Sequence, residues 1–510
     1  VFRAVLIANR GEVAIRIART CHEMGIHAVG VYSAADRDAL HRRHMDESVE
    51  IGPAPATESY LHIDRVLAAA KETGAEAIHP GYGFLAENAE FSRRCAEAGV
   101  VFIGPGPEAM LKSGDKIGSR KAMAEIGLPI TPGSGAANTE EDALAAALDL
   151  GFPVMLKASG GGGGIGMRVV LRQDELAHAF RLARSAAVAA FGDPTIFVEK
   201  FHRHPRHIEV QVFLDRHGNA VHLGERECSI QRRHQKLVEE SPSPVVGPRT
   251  RKRIGELAVK GTRAIGYENA GTVEFLYSGG KFYFNEINAR LQVEHTITEA
   301  VTGLDLVREQ IRVAAGEPLS VSQKEVTLNG WAIECRINAE DPTANFAPSP
   351  GVVTRYHEPG GPGIRVDSGV TEGSTVQAFY DPLAAKVIAH GRTRDDAIAR
   401  MSRALGEFVI EGISTVLPLH RRILRDEAFR KGELATTFLE DRGLLAAMVE
   451  ERDAEVVALA AALAARPALA AHLRPPLALR MPSPSRWVAA GRPHLGGDHA
   501  PAHRARRSRA

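Results

Sequence analysis

A multidomain chain of α/β and α+β type is predicted by three observations. Strand and helix patterns alternate over the first hundred residues, five glycines sit between two strand-like runs near residue 162, and polar residues recur at every second position near residue 290. The length, 510 residues, suits about three domains and a sizeable core.

The opening segments read "RAVLIAN", an amphipathic "EVAIRIARTCHEMG", "HAVGVYS", a helix, "EAIHPGYG", a helix and "VVFIGP". That order is a doubly wound, Rossmann-like α/β domain. Its first turn, "NRGEVA", lacks the G-x-G-x-x-G spacing, so the fold need not bind a dinucleotide. "HPGYGFLAEN" (His79 to Asn88) is a Gly/Pro-rich loop at a strand end, where such folds carry function. A tight structural turn is the other reading.

Next comes "KASGGGGGIGM", residues 157 to 167, flanked by "FPVML" and "MRVVL". Both flanks are too short for helices, so the glycines form the tip of a β-hairpin. Glycine loses the most backbone entropy on folding, and five in a row suit a backbone that a phosphate chain must approach closely. A plain surface turn is the alternative. Gly161, Gly163 and Gly166 match G-x-G-x-x-G formally, but a strand rather than a helix follows, and no Gly-Lys-Ser/Thr closes a Walker loop. A nucleotide flap with Lys157 at its base remains.

A second unit spans about Thr131 to Glu199, with helices near Glu140 to Leu150 and Asp174 to Ala190 and the strand "TIFVEK". A third, with hairpins and helices intermixed, runs to about Leu445. Beyond it an Ala-rich helix gives way to "RPPLALRMPSPSRW" and "PAHRARRSRA", read as a mobile, solvated basic tail.

The segment "KFYFNEINARLQVEH" (281 to 295) carries the densest chemistry. As a strand it would set Glu286, Asn288, Arg290, Gln292 and Glu294 on one face and mostly apolar residues on the other. An enclosed face would be a site; a solvated edge strand is the alternative. "GTVEFLY" pairs with it through "SGGK" and adds Glu274. Two carboxylates and an amide are hard oxygen donors suited to Mg2+ or Mn2+, with ATP phosphates completing the shell. Arg290 and Lys236 offer charge for a small oxyanion, and Glu294 a general base. The histidines of "HRHPRH" (His202, His204, His207) follow no zinc-ligand spacing and read as solvated or hydrogen-bonded.

Charges nearly cancel, 63 basic against 62 acidic, so no global field recruits nucleic acid or membrane. Cys21, Cys95, Cys228 and Cys335 are scattered, as in a reduced cytoplasmic protein. No apolar run has membrane-spanning length, and "AVLIA" is too short for a signal-peptide core. The first residue is Val, which leaves open whether the end is trimmed or follows an unusual start codon.

"IANRGEVAIRI", "HPGYGFLAEN", "KASGGGGGIGMRVV", "ERECSIQRRHQKLVEE", "NEINARLQVEH" and "ECRINAEDP" resemble, in order over roughly residues 2 to 440, the signatures of the biotin carboxylases, ATP-grasp enzymes. The resemblance implies an amino-terminal α/β domain (1–112), an ATP-grasp domain (113–317) with a mobile lid (about 131–202), a biotin carboxylase carboxy-terminal domain (318–445) and a tail (446–510). It implies that Lys116 and Lys157 bind ATP phosphates, that Gly163 and Gly164 cover them, and that Glu199, Lys200, Phe201 and His202 hold the adenine. His207, Gln231 and His234 would complete the nucleotide site. Glu274, Glu286 and Asn288 would bind two Mg2+ or Mn2+ ions. Lys236, Arg290, Gln292 and Val293 would hold bicarbonate, Glu294 would deprotonate it, and Arg336 would stabilise the biotin enolate. Two positions depart from the family's pattern: Ile165, where relatives commonly have Arg or Lys, and His202, where they have an aliphatic residue.

Biotin is attached within an Ala-Met-Lys-Met motif, and none of the nine methionines here adjoins a lysine. The expected partners are therefore a separate biotin carboxyl carrier protein and a carboxyltransferase, with a homodimer implied by the resemblance and neither nucleic acid nor membrane. The leading expectation is the biotin carboxylase component of an acetyl-CoA or propionyl-CoA carboxylase. A component of a pyruvate carboxylase, another ATP-grasp carboxylate ligase and a regulatory nucleotide-binding module are the alternatives.

Overall fold

The computed structural model describes residues 1–159 and 167–465. Gly163, Gly164 and Ile165, with the rest of the glycine tip, lie outside the described residues, as does the Pro/Arg/His-rich end. The chain divides into two units, Val1–Val449 and Glu450–Ala510. The expected Ala-rich helix runs over Leu444–Ala465. Among the described residues no helix is long and apolar enough to cross a membrane.

The first unit opens with a parallel sheet in the order Glu47–Glu50, His27–Tyr32, Ala4–Ile7, Ala77–His79, Val101–Phe102. Alternation along the central strand sends Val5 and Ile7 to one face, against the helix Gly11–Glu23, and Leu6 to the other, against Val66, Ala69 and Phe91. The edge strand Glu47–Glu50 falls where the sequence pattern suggested only helix. "ESVE" has weak strand propensity and is not fully buried, so pairing with His27–Tyr32 defines it. In the loop after His79, Asn9 Nδ2 donates to the carbonyls of Pro80 (2.7 Å) and Tyr82 (2.8 Å). Gly81 has φ +64°, and a Cβ there would stand 2.9 Å from that amide nitrogen.

A smaller antiparallel sheet follows, in the order Gly133–Ala137, Ile196–Lys200, Val154–Ala158, Arg168–Val170. Val154 pairs with Val170, as a glycine-tipped hairpin requires. The helices Glu140–Leu150 and Leu176–Phe191 pack on it around Ala143, Ala147, Phe180 and Ala183.

The largest sheet has eight strands among the described residues: Lys281–Asn288, Asn269–Ser278, Arg206–Leu214, Ala220–Arg232, Gln235–Ser241, Trp331–Asn338, Leu383–Gly391 and Ile364–Ser368, in that spatial order. One end is backed by Pro248–Ala264, through Ile254 and Ala258 against Val210 and Val273. The other is backed by Arg394–Glu407 and Leu417–Arg425, through Ile398, Met401 and Leu419. These apolar layers cover one face and leave the polar side chains of the middle strands on the other.

Candidate active site

Strand pairing sets Glu286 opposite Glu274, Glu274 opposite Glu209, and Glu209 opposite Arg226. Three carboxylates in a cross-strand row would repel one another, so cations must be threaded among them. Lys236 Nζ lies 2.5 Å from Glu209, 3.0 Å from Glu274 and 2.6 Å from Glu294. His207 Nε2 is 3.2 Å from Glu274, Arg226 Nε is 2.6 Å from Glu209, and Lys116 Nζ is 3.4 Å from Glu286.

Two bulges aim this row. Phe284 pairs with Phe275 and Glu286 with Glu274, so Asn285 is an extra residue. Phe284 can then enter the core while Glu286, two positions on, faces the site. Likewise Ile230 pairs with Val238 and Gln231 with Lys236, leaving Leu237 extra. Lys236 and Glu239 thereby reach the same cluster, although simple alternation would separate them. The intervening turn sets both Arg233 and His234 at positive φ, +48° and +67°.

The expectation of one strand face running from Glu286 to Glu294 is corrected. The strand ends at Asn288, and Glu294 stands at the N-cap position of the helix His295–Thr302 without a side-chain capping bond. Ala289 and Leu291 enter different cores, which bends the chain out of the sheet. Arg290, Gln292 and Glu294 still converge because the bent segment folds over the sheet face. It is held by Glu87, which accepts from Ala289 N–H and Arg290 Nε (both 3.0 Å), and by the His295 ring, 2.7 Å from the Gln292 carbonyl.

Gln292 is buried between Arg226 Nη2 (2.5 Å) and Glu274 Oε1 (3.0 Å). Arg336 donates to Glu294 Oε2 (2.8 Å) and to Glu239 Oε1 (2.6 Å). Burial pushes the Glu294 carboxyl up, and Lys236 with Arg336 more than offsets it, so Glu294 titrates below the usual range. Glu274 and Glu209 are held well below it, burial again being outweighed, chiefly by Lys236. Burial would lower His207, but Glu274 and Glu209 push it up to about 9. Glu239 goes the other way, raised to about 7 by burial despite Arg336.

The candidate nucleotide residues border this cluster. Lys157 Nζ is 2.6 Å from Glu199, which also binds Arg120. Lys200 donates to the Gly151 carbonyl (2.6 Å) and the Phe201 N–H to that of Pro153 (3.2 Å), tying the strand end to the smaller sheet. Gln231 Nε2 lies 3.0 Å from His207 Nδ1. The "HRHPRH" histidines separate: His202 packs on Tyr283 at 4.7 Å, His204 bonds Thr437 (3.0 Å), and His207 joins the carboxylates.

Sequence reasoning missed Glu209, Arg226, Glu239, Glu87 and Arg120. The first had a signal: His207, Glu209 and Gln211 stand at alternate positions of "RHIEVQVFL". Arg226 is wholly buried and donates to Glu209, Gln211, Thr298, Thr272 and Gln292, so it organises both carboxylates and amides. Among the described residues, Glu274, Glu286 and Asn288 give a paired-strand set of hard oxygens that fits Mg2+ or Mn2+ in donor chemistry. The neighbouring set His207, Glu209 and Glu274 contains a nitrogen donor and already shares its charge with Lys236.

Family models match three consecutive stretches: biotin carboxylase N-terminal domain over residues 1–110, carbamoyl-phosphate synthase L chain ATP-binding domain over 115–322, and biotin carboxylase C-terminal domain over 334–441. The chain is 54% identical over 461 residues to a pyruvate carboxylase subunit of Methanothermobacter thermautotrophicus, covering 89% of this chain and 94% of that protein. It is 52% identical over 441 residues to biotin carboxylase 1 of Bacillus subtilis, covering 86% and 98%. Among solved structures, the biotin carboxylase domain dimer of Hydrogenobacter thermophilus 2-oxoglutarate carboxylase, in complex with MgADP, ADP and bicarbonate, superposes with a TM-score of 0.84 at 46% identity, covering 87% of this chain and 98% of that one. The parallel amino-terminal sheet, the two-sheet centre and the carboxylate row thus stand in a chain that belongs to the biotin carboxylase family.

Proposed function

We propose that this biotin carboxylase, an ATP-dependent ligase, performs the first half-reaction of a multicomponent acyl-CoA carboxylase, with acetyl-CoA or propionyl-CoA as the final acceptor. The observation that carries the residue roles is Glu294, clamped between Lys236 (2.6 Å) and Arg336 (2.8 Å). Lys236, Arg290, Gln292 and Val293 hold bicarbonate, and the ionised Glu294 accepts its proton. The bicarbonate oxygen attacks the γ-phosphorus of ATP, the bond to the β-bridging oxygen breaks, and ADP leaves carboxyphosphate. Lys116 and Lys157 steady the phosphates, and Glu199, Lys200, Phe201, His202, His207, Gln231 and His234 seat the nucleotide. Glu274, Glu286 and Asn288 hold Mg2+ or Mn2+, which when bound offsets phosphate charge. Carboxyphosphate breaks down to CO2 and phosphate, phosphate takes the biotin N1' proton, and the enolate, steadied by Arg336, adds to CO2.

Biotin is supplied on a separate carrier, a reading supported by the likeness to biotin carboxylase 1 of Bacillus subtilis, 98% of whose length this chain covers. A homodimer is supported by the Hydrogenobacter structure, described as a dimer. The test is ATP cleavage that requires both bicarbonate and free biotin, together with a purified chain that carries no covalent biotin yet carboxylates an added carrier. A streptavidin-positive band at 54.9 kDa contradicts the separate-carrier reading.

A second reading, the biotin carboxylase component of a pyruvate carboxylase, is favoured by the 54% identity to the Methanothermobacter protein. Mass spectrometry of copurifying proteins separates the two by the carboxyltransferase recovered.

A further inference from the structure

Lys386 lies outside every role assigned above, yet it touches the segment that carries Glu294. Its side chain has no exposed surface. The Nζ donates to the Val293 carbonyl (2.9 Å) and stands 3.2 Å from Glu12 Oε1 on the first turn of the amino-terminal helix. Glu12 also accepts from the Tyr82 hydroxyl in the Gly/Pro-rich loop. Across the sheet, Lys386 is the direct register partner of Arg336. Two cations opposite each other on paired strands repel, and a buried ammonium is costly to desolvate, so scaffold needs alone do not favour this arrangement.

The pair makes sense through what it holds. Arg336 grips the carboxylate of Glu294, and Lys386 grips the carbonyl of the residue before it. Together they fix both the side chain and the peptide that orients it. Glu334, Asp367 and Arg365 are the other titratable groups whose fields reach Lys386, and the two acidic groups outweigh the arginine. With Glu12 on the amino-terminal module and Lys386 on the penultimate strand of the large sheet, the Val293–Glu294 turn is seated from both ends of the unit.

We infer that Lys386 is a positioning residue for Glu294, tying the base's backbone to the amino-terminal module through Glu12 and Tyr82. This rests on the role proposed for Glu294. A base displaced by a fraction of an ångström loses rate rather than nucleotide affinity, by about 10- to 100-fold for an error approaching 1 Å.

The experiment compares Lys386→Met, Lys386→Arg and Glu294→Gln in the full chain, reading ATP affinity, the kcat and KM for bicarbonate, and the pH–rate profile. A double variant, Glu12→Gln with Lys386→Met, removes the orphaned carboxylate should the single change prevent folding. The expected result is kcat about tenfold or more lower in the folded Met variant, ATP affinity within about twofold, an acid limb displaced from wild type, and partial recovery in Lys386→Arg. Wild-type kcat and acid limb in a folded Met variant, with Glu294→Gln impaired, overturn the inference alone. Glu294→Gln at wild-type rate overturns the role of Glu294 itself. Failure of both Met variants to fold, or equal loss of ATP binding and turnover, assigns Lys386 to the scaffold and overturns the inference as well.

Discussion

Glu294 Oε1 lies 2.6 Å from Lys236 Nζ, and both side chains are largely withdrawn from solvent. The contact keeps the carboxylate ionised against the cost of burial and leaves it able to accept a proton. Glu294→Gln preserves the shape and removes that ability. Bicarbonate-dependent ATP cleavage should fall by about 10²- to 10⁴-fold while ATP binding is retained. A variant within twofold of wild type removes Glu294 from the mechanism.

Arg226 donates to five side chains in the buried centre of the large sheet. Arg226→Met leaves Glu209 short of a partner and should cost about 3 to 5 kcal/mol in chemical denaturation, the usual penalty for breaking a buried pair. Arg226→Lys should recover little, since an ammonium cannot replicate the planar fork. Full stability in Arg226→Lys would mean that charge alone, not geometry, is needed there.

Glu87 and Arg290 form a partly exposed pair at 3.0 Å, so Glu87→Gln should change stability by less than about 1 kcal/mol. Its effect should appear in the KM for bicarbonate, raised about three- to tenfold as Arg290 loses its restraint, with about 1.4 kcal/mol per factor of ten. Unchanged KM with unchanged melting temperature would detach Arg290 from bicarbonate.

Burial raises the Glu334 carboxyl to about 8, Lys386 and Arg336 only partly offsetting it. A carboxyl whose folded value is raised binds its proton more tightly in the native state. Stability is therefore lost as pH rises from the ordinary carboxyl range to about 8, and levels off above. Glu334→Gln should remove that slope: at pH near 8 the variant should melt about 1 to 3 °C above wild type, and the gap should close towards pH 5. Parallel curves across that window would refute the assignment.

Much of this molecule was legible in local pattern. The alternating apolar strands and amphipathic helices of the first hundred residues specify a doubly wound module because burial demands one periodicity per element. "GTVEFLY", "SGGK" and "KFYFNEIN" determine a hairpin, and with it the pairing from Ser278–Lys281 to Phe275–Phe284, because a short glycine turn leaves little choice of register. Family membership was equally legible in the ordered motifs. The rest depended on contacts distant in sequence. Asn285 and Leu237 become bulges only when Phe284 and Ile230 are drawn into cores, and those bulges reverse which side chains reach the site. Glu209, Arg226 and Lys236 neutralise one another across three strands, an electrostatic balance that no single segment contains. The departure of residues 289 to 294 from strand geometry was likewise set by where Ala289 and Leu291 could be buried, so packing, not periodicity, brought Glu294 to Lys236.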